Sequence, residues 1–247
     1  MKTFKTMLKT ELKLSLRGMD MVIFAICLPL IILFILGIIY GNKPAFDGAN
    51  YTFLEQSFGA LSTISICAGG VMGLPLVISD YRSKNILKRY RVTPISPGII
   101  LIVQVTIYIL YAVISFILLY LTATIFFGFQ FHGHFISFLG GYLLVIGTIF
   151  SIGMMVGGIA HNTKTAGIIA SILYFPMLIF SGATLPYEIM PVTLQQAADI
   201  LPLTQGIKIL KAATLNIAIE NIIPSIIVMI FIVLVCTWIS LKFFKWE

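Results

Sequence analysis

The side chains able to do chemistry are few and poorly placed for catalysis. His132 and His134 stand two apart, a spacing that can grip a metal weakly. No Cys, Asp or Glu lies near them in sequence, so a polar turn is the simpler reading. Cys27, Cys67 and Cys236 fall inside long apolar runs and are odd in number, which gives neither a disulfide framework nor a metal site. His161 stands alone at the end of such a run and reads as an interface anchor. No phosphate-binding loop of the form GxxxxGK followed by Ser or Thr is present, and no HExxH or GxSxG. The expectation is a chain that is not an enzyme and holds no cofactor of its own.

One polar stretch is more organised. Residues 80–97 read Asp-Tyr-Arg-Ser-Lys-Asn-Ile-Leu-Lys-Arg-Tyr-Arg-Val-Thr-Pro-Ile-Ser-Pro. In helical spacing Ile86, Leu87 and Tyr90 gather on one side, with Lys84, Lys88 and Arg91 beside them. Pro94 and Pro97 stop that helix. A loop that served only to orient the chain would need the charges alone. The apolar stripe with the stop after it predicts a docking surface, made by Arg82, Lys84, Ile86, Leu87, Lys88, Arg89, Tyr90, Arg91, Thr93 and Pro94.

The elements that must hold this stretch are membrane spans. The chain is 59% hydrophobic and 10% charged, against about 25% charged in a soluble domain. A crossing helix needs roughly 20 apolar residues. Met21–Tyr40, Phe58–Ser79, Ile99–Phe127 and Ile136–Ala160 qualify, Ala166–Gly182 is shorter, and Ile222–Leu241 closes the set. Lipid offers no hydrogen-bond partner to an open strand, so the spans must be helical. The expected fold is an all-α integral membrane protein with six transmembrane helices in one domain, 1–247.

Thirteen of the sixteen basic residues fall on one side of that arrangement: Lys2, Lys5, Lys9, Lys13, Arg17, Arg82, Lys84, Lys88, Arg89, Arg91, Lys164, Lys242 and Lys245. Lys43, Lys208 and Lys211 fall on the other. By the positive-inside rule both termini are cytoplasmic, which requires an even number of spans. The net charge of +7 then reflects topology and anionic lipid, and calls for no nucleic acid. The first 20 residues carry both charge signs and lack the pattern of a cleaved signal peptide.

No Asp, Glu, Lys or Arg lies inside the spans as drawn, which argues against a proton-coupled carrier, an ion pump or a voltage-gated channel. Gln104 is the most polar residue there and reads as interhelical glue. Gly69 with Gly73, and Gly153 with Gly157, have the GxxxG spacing of close helix packing, within the protein or at a dimer face.

Residues 1–20 predict an interfacial helix, with Phe4, Met7, Leu8, Leu12, Leu14 and Leu16 on its apolar face and Lys2, Lys9, Lys13 and Arg17 opposite. Glu11 breaks the apolar face, either reaching the headgroups or pairing with the basic loop. Residues 183–221 carry Pro186, Pro191 and Pro202, and predict two helices too short to cross, Pro191–Leu201 and Leu203–Leu215. They form a re-entrant hairpin on the outer side, with Ser181 and Gly182 at its entry.

Three segments, in order, resemble one family. Leu87–Pro97 is similar to the basic stretch running into Thr-Pro-Leu/Ile-Ser after span two of type-2 ABC-transporter permeases, the bacterial drug, lipid and polysaccharide exporters. Ile152–Asn162 is similar to their Gly-rich exit from span four, and Phe180–Thr204 to their Ser-Gly, Pro and Leu-Pro-Leu-Thr run before span six. Arg82, Ser83, Lys84, Asn85 and Ile86 stand where the family often has an acidic residue and Gly-Thr. The resemblance implies a bacterial plasma-membrane permease, paired with a second copy or a related subunit and with two separate ATPase chains that bind ATP and magnesium. It also implies an N-terminal interfacial helix, a coupling loop at 80–97 and an outer re-entrant hairpin.

An uncharged path with Phe, Tyr and Met along spans one, two and five would suit an apolar or amphipathic cargo: a drug, a lipid or a membrane-active peptide. Some resembling permeases are assigned to sodium, which makes a sodium exporter the alternative within the family. Outside it stand a self-sufficient channel or secondary carrier, a regulatory membrane scaffold and, least supported, an intramembrane enzyme.

Overall fold

A computed structural model of the chain describes residues 2–41, 43–46, 48–86, 97–184, 187, 190–216 and 222–243. Nine helices account for most of the described residues, with one isolated antiparallel bridge between Pro44 and Thr52 and no sheet among them. Six helices are long and apolar enough to cross a membrane: α2 (Asp20–Tyr40), α3 (Phe53–Ser83), α4 (Pro97–Phe127), α5 (Phe135–Ile159), α6 (Thr163–Phe180) and α9 (Ile222–Phe243). The remainder are α1 (Lys2–Gly18), α7 (Val192–Ala198) and α8 (Pro202–Leu215).

α3 is the hub of the bundle. It packs on α2, α4, α5, α6 and α8, and it can do so because its sequence is thin: Gly59, Ala60, Ser62, Ser65, Ala68, Gly69, Gly70 and Gly73 let neighbouring backbones approach. A Cβ on Gly153 of α5 would stand 1.8 Å from the Gly70 carbonyl oxygen, and one on Gly73 would strike the Tyr108 ring of α4. Gly69 also faces Tyr108, and Gly157 faces Ile78 and Pro75 of α3. Both glycine pairs thus make their close approaches inside the chain, and neither is left on an outer face for a partner.

Two prolines widen the helices that contain them. A proline has no N–H to offer and its ring crowds the carbonyl four residues back. The turns directly before Pro29 in α2 and Pro75 in α3, Ile23–Cys27 and Ala68–Gly73, open into π-helix, which absorbs such a conflict without breaking the rod.

α3 is longer than the span drawn from hydropathy. It starts at a capping box: the Glu55 N–H donates to Thr52 Oγ1 at 3.2 Å, and the Thr52 N–H donates to Glu55 Oε2 at 2.7 Å. Glu55 is therefore inside the helix and only 6% exposed, and Arg82 near the other end is 7% exposed. The span as drawn, Phe58–Ser79, holds no charge, but the helix runs past both of its ends and carries a buried charged residue near each.

Facing the start of α3, an aromatic cluster joins three helices. Phe58 sits 4.3 Å from Phe129, and Phe116 stacks on Phe138 at 5.4 Å. The Tyr142 hydroxyl donates to the Ala112 carbonyl at 2.9 Å. Rings in such offset and edge-to-face arrangements gain over burial alone. Phe58 is fully buried, so it belongs to the core and not to a path along span two.

The two short helices behave differently from each other. α8 is buried on most of its circumference, against α3, α5 and α9. α7 touches α6 and leaves Val192 and Leu194 exposed, with Ile200 beyond it. Of the apolar residues in and around α7, Met190 is buried and Leu201 packs against the core, whereas Val192, Leu194 and Ile200 stay on the surface and Ile189 lies outside the described residues.

Candidate functional site

The last turn of α3 leads directly into the basic loop, and its side chains are committed to other elements. α3 ends because Asn85 takes a left-handed backbone, φ 56°, just past the last turn. Asp80 Oδ2 accepts from Lys84 Nζ at 2.8 Å across one turn of helix. Tyr81 and Arg82 then point to two different neighbours.

Arg82 does not lie on a docking face as expected from its place in the basic run. Its guanidinium turns inward and donates to the backbone carbonyls of Gly158, at 3.1 Å, and Ala160. Those are among the carbonyls that the end of α5 leaves without partners. The reason is local: Gly157, set against Ile78 and Pro75, lets α3 approach α5 closely enough for a buried arginine to reach the helix end. Ile86 is half-buried. Leu87, Lys88, Arg89, Tyr90, Arg91, Thr93 and Pro94 lie outside the described residues, as does Pro186 of the hairpin.

Tyr81 reaches α1. Its hydroxyl donates to Glu11 Oε2, and the Gln104 amide of α4 donates to the same oxygen at 2.9 Å. Gln104 Nε2 also lies 3.1 Å from the Tyr81 hydroxyl oxygen, closing a three-membered node. Among the described residues the Glu11 carboxylate meets a tyrosine and an amide on two helices, partners the sequence did not suggest, while Lys88, Arg89 and Arg91 of the basic loop lie outside those residues.

The apolar face of α1 is correspondingly narrower than predicted. Phe4, Met7, Leu8 and Leu12 pack inward around Glu11, while Leu14 and Leu16 flank the stripe on opposite sides and are 54% and 47% exposed. Farther along, the Tyr111 hydroxyl donates to Ser15 Oγ at 2.8 Å. α1 then turns into α2 at Met19, whose φ of 58° lies in the left-handed region. A cavity of about 260 Å³ lies between that corner and the bundle, lined by Glu11, Gly18 and Met21 on one side and Leu76, Tyr81 and Gln104 on the other.

At the opposite end, polar side chains tie α7 to α8. Asp199 Oδ1 accepts from Lys208 Nζ at 2.6 Å and from the Tyr187 hydroxyl at 2.8 Å. Gln195 Nε2 donates to the carbonyls of Tyr187 and Met190. Ser225 of α9 donates to Gln205 Oε1 at 2.6 Å, anchoring α8 to the last helix. Ser181, 1% exposed, and Gly182, φ 93°, turn the chain out of α6, Pro191 precedes α7, and Pro202 opens α8. Beside this network, His134, Gly141, Leu144, Ile209, Ala213 and Ile226 line a largely apolar cavity of about 590 Å³.

Sequence reasoning missed two of these groups. Thr52-Phe-Leu-Glu55 is a readable capping-box signature. The second Glu55 oxygen lies 3.2 Å from His132 Nε2, a contact between residues 77 apart that no spacing rule reaches. Among the described residues no group of three or more His, Cys, Asp or Glu is placed to hold a metal.

Six apolar helices, one of them a small-residue hub, with polar side chains gathered at the two ends, define a multi-pass helical membrane protein. The family model described as ABC-2 type transporter matches residues 2–215, from the start of α1 to the end of α8. The chain belongs to that family and is an ABC-2 type membrane permease. A comparison with curated proteins finds no match.

Proposed function

We propose that this chain is the membrane-spanning subunit of an ATP-driven exporter of the bacterial plasma membrane, and that residues 80–97 are the contact through which a separate ATPase drives it. The observation that carries this reading is the family match, which runs unbroken through α1, α3, the basic loop and the two short helices. In this reading the end of the bundle bearing α1 is cytoplasmic, in line with thirteen basic residues on that side against three on the other. All six long helices cross, and the whole chain forms one permease domain.

The hairpin at 183–221 is then re-entrant from the outside. Its packing supports this: Ala213 lies against Gly133, before α5 begins, and Gly206 lies against Val145, ten residues into α5. At 1.5 Å per residue the deep end of α8 stands about 15 Å below the start of α5, near half the thickness of a hydrocarbon core. The transporter pairs two permeases with two ATPase subunits, which bind ATP and magnesium. Leu87, Tyr90 and the cations around them make the ATPase contact, while Arg82 braces it from inside. The cargo is an apolar or amphipathic molecule, carried by shape and apolar contact, since charge in the six long helices is confined to their ends.

Purification in a mild detergent tests the core of this. A nucleotide-binding ATPase should copurify in equal number with the permease. A purified chain that moves solutes in liposomes without nucleotide or partner would overturn it.

A further inference from the structure

Tyr81 and Gln104 stand on either side of the basic loop, one on the helix entering it and the other two turns into the helix leaving it. They meet on a carboxylate from a third element, Glu11 of α1. A carboxylate in the middle of an apolar helix face is costly to bury, and an apolar residue there would pack α1 on α4 at least as well. Its presence therefore calls for a reason other than adhesion.

Three features give that reason. The node joins both ends of the loop to one atom, Glu11 Oε2, through bonds to a charged acceptor, the stronger kind. Beyond the node α1 leads in eight residues to Met19, where a left-handed backbone turns it into α2, so a push on α1 is delivered to the end of α2. The 260 Å³ cavity lies under that corner, which leaves it room to move without first displacing packed side chains. The start of α2 is itself not a regular rod, for it widens into π-helix at Ile23–Cys27, four residues past the corner.

We infer that the Glu11–Tyr81–Gln104 node is the transmission point through which displacement of the basic loop is carried to α1 and, by way of Met19, to α2. Tyr81, Glu11 and Gln104 are positioning residues: they touch neither nucleotide nor cargo. The inference rests on the loop being the ATPase contact. It adds that α1 is a moving lever, not a passive float on the membrane surface.

The test uses the permease copurified with its ATPase, with Cys27, Cys67 and Cys236 replaced by Ala. Spin labels go on Ile23→Cys in α2 and Leu241→Cys in α9, both exposed positions. Their separation is measured without nucleotide and after trapping with ATP and vanadate. Three variants are compared: Tyr81→Phe, which removes the hydroxyl and keeps the ring; Glu11→Leu, which removes the carboxylate and improves apolar packing; and Leu87→Asp in the loop. The unaltered node should show a nucleotide-dependent change in separation. Tyr81→Phe and Glu11→Leu should lose that change while the ATPase stays bound, with coupled turnover falling roughly tenfold, the effect of one lost bond to a charged acceptor. A full change retained in both variants, beside its loss in Leu87→Asp, overturns the lever and leaves the loop reading standing. A change retained in Leu87→Asp, or absent with the node intact, overturns the loop reading and the lever with it.

Discussion

The Arg82 guanidinium, 7% exposed, donates to the Gly158 carbonyl at 3.1 Å and to that of Ala160, so that the last turn of α3 closes the open end of α5. A helix C-terminus presents partial negative charge and unpaired carbonyls. A cation with a planar fork can satisfy two of them at once, as a lysine cannot. The basic residue nearest the bundle is thus structural, and in the proposed reading docking falls to those beyond it.

Arg82→Gln should therefore cost stability, by about 2–4 kcal/mol for charge-assisted bonds to a buried helix end. Arg82→Lys should recover only part of it. Thermal unfolding of the detergent-solubilised protein measures both, and an unshifted midpoint for Arg82→Gln would contradict the cap.

The glycines of α5 should separate cleanly by position. A Cβ on Gly153 would meet the Gly70 carbonyl oxygen at 1.8 Å, a backbone atom that cannot swing aside. Gly153→Ala should destabilise by about 3 kcal/mol or more, at the upper end of overpacking effects. Gly140 has nothing within 4 Å of the same point, so Gly140→Ala should leave the monodisperse fraction on size-exclusion chromatography unchanged.

Glu55 holds its own helix start and the α4–α5 connection together. Oε2 accepts the Thr52 N–H, and Oε1 lies 3.2 Å from His132 Nε2 and 3.4 Å from the Gln130 nitrogen. Glu55→Ala should cost about 2 kcal/mol, combining a lost cap with lost buried bonds. His132→Ala should cost under about 1 kcal/mol, because the ring is 40% exposed and its pairing is screened. Denaturant titration of the two variants orders them. A His132 effect as large as that of Glu55 would show that the contact between them, and not the capping box, carries the stabilisation.

In the loop, Leu87→Asp and Tyr90→Ala should insert and fold normally yet copurify with little ATPase. Lys84→Ala should behave almost as wild type, since Lys84 is already occupied by Asp80 on an exposed helix face, a pairing of about 0.3–0.5 kcal/mol. Quantifying the ATPase-to-permease ratio distinguishes them; equal ratios for Leu87→Asp and Lys84→Ala would remove the stripe as a docking element.

The spans, the interfacial helix and the two short helices were legible because each announces itself locally, by an apolar run, a 3.6-residue stripe or a pair of prolines. α7 and α8 begin within a residue of Pro191 and Pro202, as their prolines require. What could not be read is where a side chain goes once helices meet. Glu11 and Tyr81 are 70 residues apart, and Arg82 and Ala160 are 78 apart. The sequence left Glu11 to the headgroups or to the basic loop, whereas the groups that meet it among the described residues are a phenol and an amide from two other helices. Hydropathy likewise trimmed α3 at both ends, because Glu55 and Arg82 count as polar there even though neighbouring helices bury them.

The widened turn at Ala68–Gly73 has one more consequence. Accommodating an additional residue in a single turn rotates everything after it by about 100° relative to an unbroken rod. Tyr81 and Arg82 owe their headings to that offset. A regular turn of the same length there would swing both side chains away from α1 and α5, although neither had been altered, and deleting one residue among the glycines would bring them back.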